Sequence, residues 1–136
     1  MSAIQTATYI NFQGHAREAL EFYQQALGGE LTLLTMDEQG QTRPAEADER
    51  VATGRLVADG IVIIGSDGHP RFPPTVGDNM AIALVGTDRE RLTQAFNLLA
   101  EGGKIKGPLS AQPWGAEVGW FVDQFGLNWM VSIEQA

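Results

Sequence analysis

Apolar and polar residues alternate along "TATYINF" (6–12): Thr8, Ile10 and Phe12 fall on one side, Ala7, Tyr9 and Asn11 on the other. A period of two is the mark of a strand. The period then changes. In "HAREALEFYQQALGG", Ala16, Ala19, Leu20, Tyr23, Ala26 and Leu27 recur at helical spacing, and Gly28-Gly29 supplies a left-handed stop. "ELTLLTM" (30–36) returns to strand character. Residues 37–50 set Asp37, Glu38, Glu46, Asp48 and Glu49 against Arg43 and Arg50, which predicts an exposed, mobile loop. "RVATGRLVADGIVIIGSDG" predicts two strands joined at Asp59-Gly60, a tight-hairpin signal.

After "GSDG" the pattern breaks. Pro70, Pro73 and Pro74 fit neither a helix nor an inner strand, so 68–78 reads as a link between halves. The second half repeats the first. "NMAIALV" (79–85) is a strand, Thr87 and Glu90 make a capping-box pattern, and Leu92, Ala95, Phe96 and Leu99 stripe a helix that ends at Gly102-Gly103. "KIKGPLS", "EVGWFVD" and "NWMVSI" are three more strands. Phe22 and Phe96 each stand six residues before the first glycine of a helix stop, at an offset of 74. Each half therefore reads β-α-β-β-β. The expectation is an α+β fold of two tandem βαβββ modules forming a curved, partly open mixed-sheet barrel with helices outside. Module one spans about 6–67, module two about 79–134, within one domain of residues 1–136.

Composition narrows the chemistry. The chain has 136 residues, a net charge of −8 and no cysteine, so disulfides, zinc-thiolate sites and thiol catalysis are excluded. The nine basic residues are scattered, which argues against a nucleic-acid partner, since neutralising phosphates takes clustered Lys and Arg. The longest aliphatic run, "IVII" (61–64), is far too short to span a membrane. The first residues lack a basic region followed by an apolar one, so no secretory signal is expected and the expected location is cytoplasmic.

Two stretches carry a family resemblance. "YINFQGHAREALEFYQQALGG" and "PWGAEVGWFVDQFGLNW" resemble the PhnB-like branch of the vicinal-oxygen-chelate superfamily, which includes glyoxalase I, ring-cleaving dioxygenases and bleomycin-resistance proteins. Tyr9, Asn11, Phe12, Gly14, Glu18, Ala19, Leu20, Phe22 and Tyr23 match the first motif. Trp114, Gly115, Gly119, Asp123, Phe125, Gly126 and Trp129 match the second, while Ala116, Glu117, Gln124 and Leu127 depart from it. The resemblance implies four metal-ligand positions, on the first and last strand of each half. They fall at Thr8, at Ile64 or Gly65, at Ala81 and at Met130. None is His, Glu or Gln, and a divalent metal needs convergent nitrogen or oxygen ligands. The expectation is therefore no metal and no cofactor. The two histidines, His15 and His69, lie at opposite ends of module one and read as surface residues. The superfamily also implies a homodimer.

Three further groups bear on chemistry. Ser66, Asp67 and His69 in "GSDGHP" suggest a nucleophile and base, but residues this close along a loop read better as a hydrogen-bonded turn at a cleft mouth. "LGGEL" and "EGGKIKG" are helix exits, the wrong order for cradling a nucleotide-like methyl donor. Asp123 reads as the cap of the turn "DQFG". Glu117, where the family has Arg, either turns a cleft towards cations or sits solvated at its rim, and the rim reading is preferred. All three tryptophans lie between 114 and 129. Trp129 alternates with Met130 and so belongs to the core if Met130 faces a cleft. Trp120 lies on a strand with its facing open, and Trp114 beside Pro113 is the expected cleft aromatic. The expected role is metal-independent binding of a small apolar or aromatic molecule, with Thr8, Ile64, Ser66, Ala81, Trp114, Glu117, Trp120 and Met130 as candidate ligand contacts. The alternatives are a superfamily enzyme, or a bleomycin-type drug-sequestering protein whose acidity helps capture cations.

Overall fold

The computed structural model describes residues 3–136. Its compact units are 1–75 and 76–136, so the boundary lies in the Pro-rich link. The first unit runs β1 (Thr8–Asn11), α1 (Ala16–Leu27), β2 (Glu30–Met36), β3 (Thr42–Pro44), β4 (Thr53–Ala58) and β5 (Ile61–Ser66). The second runs β6 (Ile82–Gly86), α2 (Arg89–Ala100), β7 (Lys104–Ala111), β8 (Glu117–Val122) and β9 (Asn128–Ile133). Each unit holds one open mixed sheet, in the order β1-β5-β4-β2-β3 in the first and β6-β9-β8-β7 in the second. In both, the first and last strands run parallel and the others antiparallel. The α+β class and the two modules are as the periodicity predicts. No described helix is long and apolar enough to cross a membrane.

Glycines let each helix settle on its sheet. A Cβ on Gly54 of β4 would lie 2.5 Å from a methyl of Leu20, and one on Gly119 of β8 would lie 2.8 Å from the Phe96 ring. The strand backbone is thus the floor on which the helix side chains rest. Gly29 and Gly103, which follow the two helices, each pass too close to a neighbouring strand's backbone for any side chain to fit. The same device therefore occurs twice, at equivalent points of the repeat. Around it Leu20, Tyr23, Leu56 and Ile63 form the core of the first unit. Phe96, Phe121, Trp129, Val131 and Ile133 form that of the second, with Phe121 edge-on to Phe96 and stacked on Trp129.

Three local expectations change. The cap of α2 is Asp88, not Thr87: its carboxylate accepts the Arg91 N–H at 3.1 Å. The strand expected at 79–85 begins only at Ile82. The loop at 37–50 is more ordered than its charge suggests, since β3 pairs with the end of β2 inside it. Asp37 closes the preceding turn by accepting the Gln39 and Gln41 N–H groups, both at 2.9 Å. The Arg43 guanidinium donates to both oxygens of Glu49, at 2.7 and 2.5 Å, and the Glu46 N–H donates to one of them at 2.8 Å.

Those donors, Arg43 first and the Glu46 amide second, hold the Glu49 carboxyl down from its ordinary 4.5 to about 2. A depressed carboxyl pKa stabilises the folded loop above pH 4.5, and that contribution is lost as pH falls through about 2. A carbon-detected NMR titration of the glutamate side chains should show Glu49 still ionised at pH 3, well below its ordinary 4.5. Titration of Glu49 near its ordinary value would mean that the Arg43 fork does not form in solution.

Candidate functional site

The face of each sheet turned away from its helix is the place to look for a site, and strand parity decides which side chains reach it. In the second unit Gly119 and Phe121 lie under α2, so Val118, Trp120 and Val122 point the other way. Met130 is in register with Trp120 on one side and with Ala83 on the other. The Trp120 indole lies over Gly107 of β7, where an added Cβ would come within 2.6 Å of the ring. Gly107 is buried by this stacking, while Trp120 itself stays 47% exposed. Together they form a flat aromatic step beside a thioether.

A cavity of about 400 Å3 opens on this step. Ala81, Met80, Trp120 and Met130 supply its apolar lining, and Lys106 and Asn128 supply polar ends. Asp78 also reaches its edge. Such a mixture, mostly apolar with a few placed polar groups, is typical of a small-molecule pocket. Three of the residues expected from the sequence, Ala81, Trp120 and Met130, come together here.

The other candidates go elsewhere. Trp114 sits in the turn between β7 and β8, closed by Gly115 N–H to the Gln112 carbonyl at 3.0 Å, and is 72% exposed. It lines neither this cavity nor the groove of the first unit described below. Glu117 is in register with buried Ile133 on the α2 side of the sheet, where it forms an ion pair with Arg89. It is therefore neither in the cavity nor a solvated rim charge, because its parity is that of Gly119 and Phe121. Trp129 is fully buried, as parity with Met130 requires. Its indole N–H donates to Asp123 at 2.8 Å, and the same carboxylate accepts the Phe125 and Leu127 N–H groups at 2.8 and 3.0 Å. Asp123 is thus a turn cap that also anchors a core tryptophan.

In the first unit Ile64 lies on the face away from α1, but Thr8 does not. Thr8 is in register with Ile63, which is buried on the α1 side, so Tyr9, in register with Ile64, takes the outward position. The Tyr9 hydroxyl meets the Ser66 hydroxyl at 2.8 Å. Ser66 is buried at the end of β5 and also accepts the Gly68 N–H at 3.3 Å. Asp67 accepts the Ala16 and Val51 N–H groups, and His69 Nδ1 accepts the Arg71 N–H. Ser66, Asp67 and His69 each serve the turn, and no nucleophile–base–orienter relay links them.

The residues at the four implied metal positions do not fit a metal. Thr8 faces the helix, Ile64 and Ala81 carry no donor atom, and Met130 offers only a thioether, a poor ligand for the divalent ions that oxygen and nitrogen sites hold. Among the described residues no three His, Cys, Asp or Glu side chains are gathered as a metal site would need.

Residues 4–132 match the family described as 3-demethylubiquinone-9 3-methyltransferase. The chain belongs to this PhnB-like family. It is 34% identical to protein PA1353 from Pseudomonas aeruginosa over 98% of this chain and all of that one, with a TM-score of 0.82. A PhnB protein from Bacillus cereus shares the fold at 22% identity and a TM-score of 0.71, covering 96% of this chain and 99% of that one. The fold is also that of a member of the glyoxalase/bleomycin resistance protein/dioxygenase superfamily from Sphaerobacter thermophilus DSM 20745 (23% identity, TM-score 0.58, 98% and 100% covered). The methyl transfer in the family's description finds no nucleotide-like cradle in the glycine pairs of this PhnB-like chain. Gly28-Gly29 and Gly102-Gly103 leave helices rather than enter them.

Replacing Asp123 with Ala strands three N–H donors, one of them on a buried indole. The loss expected is about 3 kcal/mol, the upper end of what an unsatisfied buried group costs, read as a lower urea midpoint at unchanged slope. A variant as stable as the parent would remove Asp123 from the core of the second unit.

Proposed function

We propose that this PhnB-like protein binds a small, largely apolar or aromatic molecule on the Trp120 step of its second unit, without the superfamily's metal. The observation that carries this reading is the register pair Trp120–Met130 beside a cavity of about 400 Å3. An aromatic ring stacked on a backbone glycine is held flat before any guest arrives, so little ordering entropy remains to be lost on binding. The polar groups at the cavity's ends, Lys106 and Asn128, supply direction: a guest that fits has an apolar body and a hydrogen-bonding group at its edge. Cation capture loses its basis in Glu117, whose charge is paired with Arg89 on the opposite side of the sheet. We also keep the homodimer as a proposal, supported by outward apolar residues such as Val57 and Val85, and tested by sedimentation.

Tryptophan fluorescence reads the step directly. A neutral bicyclic aromatic such as 1-naphthol should quench or shift the emission saturably. Trp120→Ala should weaken the binding at least tenfold, about 1.4 kcal/mol, while Trp114→Ala leaves it unchanged. Equal binding by the parent and the Trp120 variant, or loss on changing Trp114 alone, would overturn the reading.

A further inference from the structure

A second hollow lies within the first unit and differs in chemistry from the Trp120 step. It has a volume of about 330 Å3 and is bounded by Asn11, Gln13, Arg50 and His69, with Pro70 and Pro73 as a rigid apolar wall. Most of its polar groups are donors. Arg43 and Arg89 are paired with Glu49 and Glu117, whereas Arg50, which lines the groove, has no carboxylate partner among the described residues. Its neighbour Val51 is fully buried, and the Val51 N–H is held by Asp67 at 2.7 Å, so the base of the Arg50 side chain is fixed at the groove. His69 accepts the Arg71 N–H on Nδ1 at 3.1 Å, which leaves Nε2 as the protonated, donating nitrogen. Asn11 accepts the Gln13 N–H on Oδ1, leaving its amide NH2 to donate.

The one carboxylate in the lining does not oppose an anion strongly. Asp67 spends Oδ1 on the Ala16 N–H at 2.9 Å and Oδ2 on the Val51 N–H, so both oxygens are turned into the backbone. Glu49, next to Arg50 in sequence, is held by Arg43 instead and does not line the groove. A groove rich in N–H donors, with one guanidinium that has no carboxylate partner, suits an oxyanion that offers two oxygens to the Arg fork. The proline wall suits an apolar body attached to it.

We propose that this groove is a binding site for a small organic oxyanion, a carboxylate or phosphate monoester on an apolar body, with Arg50 as its charge-reading residue. The chain carries a net charge of −8. Its overall field therefore repels anions, and local donors have to supply the affinity.

The test is an amide NMR titration of the whole chain with benzoate, phenyl phosphate and neutral benzamide at moderate salt. Saturable shifts confined to the amides near Gly14, Arg50 and Gly68 are expected with at least one anion and not with benzamide. Whichever anion saturates first identifies the headgroup. Arg50→Ala should weaken binding about tenfold or more, whereas Trp120→Ala should leave it unchanged. That last arm separates this site from the one proposed on the second unit. Arg50→Gln, which keeps the side chain's length, serves if the alanine variant does not fold. Benzamide binding as well as benzoate, no saturable shift with either anion at about 10 mM probe, or an Arg50 variant that binds like the parent would each overturn the proposal.

Discussion

In the second unit the Phe96 ring rests on the backbone of Gly119, where a methyl group would lie 2.8 Å from a ring carbon. That seat fixes which way β8 faces. With Gly119 beneath the helix, Trp120 has to point away, and register carries the choice to Met130 on β9. The same parity sends Phe121, Trp129 and Val131 into the core and places Glu117 beside Arg89. Were β8 to slip by one residue, Trp120 would turn under the helix, Phe121 would leave its seat against Phe96 and Trp129, and Glu117 would leave Arg89. In the first unit Gly54 under Leu20 does the same for β4 and β5, and so puts Ile64 and Tyr9 on the outward side.

This constraint bears on function because the outward faces hold the residues in which the chain departs from an ion-binding site. Thr8 is turned towards the helix, and an aliphatic side chain, an alanine and a thioether stand where converging oxygen or nitrogen donors would be required. What the second unit does hold is an aromatic plane fixed over Gly107 and an apolar floor, edged by Lys106 and Asn128. The chemistry on offer is recognition of shape and apolar surface, with one or two directional contacts.

The element order, the doubled βαβββ plan and the helix stops were legible because each rests on local periodicity or on glycine's access to positive φ, seen at Gly28 and Gly102. Trp129 in the core and Asp123 as a turn cap followed from alternation and turn chemistry alone. Facing was harder. Thr8 and Tyr9 both suit a strand, and only the pairing of β1 with β5 shows that Tyr9 is outward. Trp114 looked like a wall because tryptophan near proline and glycine suggests a shaped loop, but a hairpin turn leaves it in solvent. Lys106 escaped because register shifts interrupt β7 on either side of Gly107, so alternation there has no single phase. Asn128 was within reach, two residues before Met130 on the same strand. Arg50 and His69, nineteen positions apart in sequence, meet at one groove only through the fold.

The account is tested most directly by where a bound aromatic touches the chain. Methionine methyl groups labelled with 13C give separate signals, and Met130 and Met36 lie on different sheets. With a neutral bicyclic aromatic bound, intermolecular NOEs should run from the ligand to the Met130 methyl and the Trp120 ring, and none to Met36. NOEs to Met36 alone, or a saturated ligand with no NOE to Met130, would contradict the claim that the Trp120 step is the site.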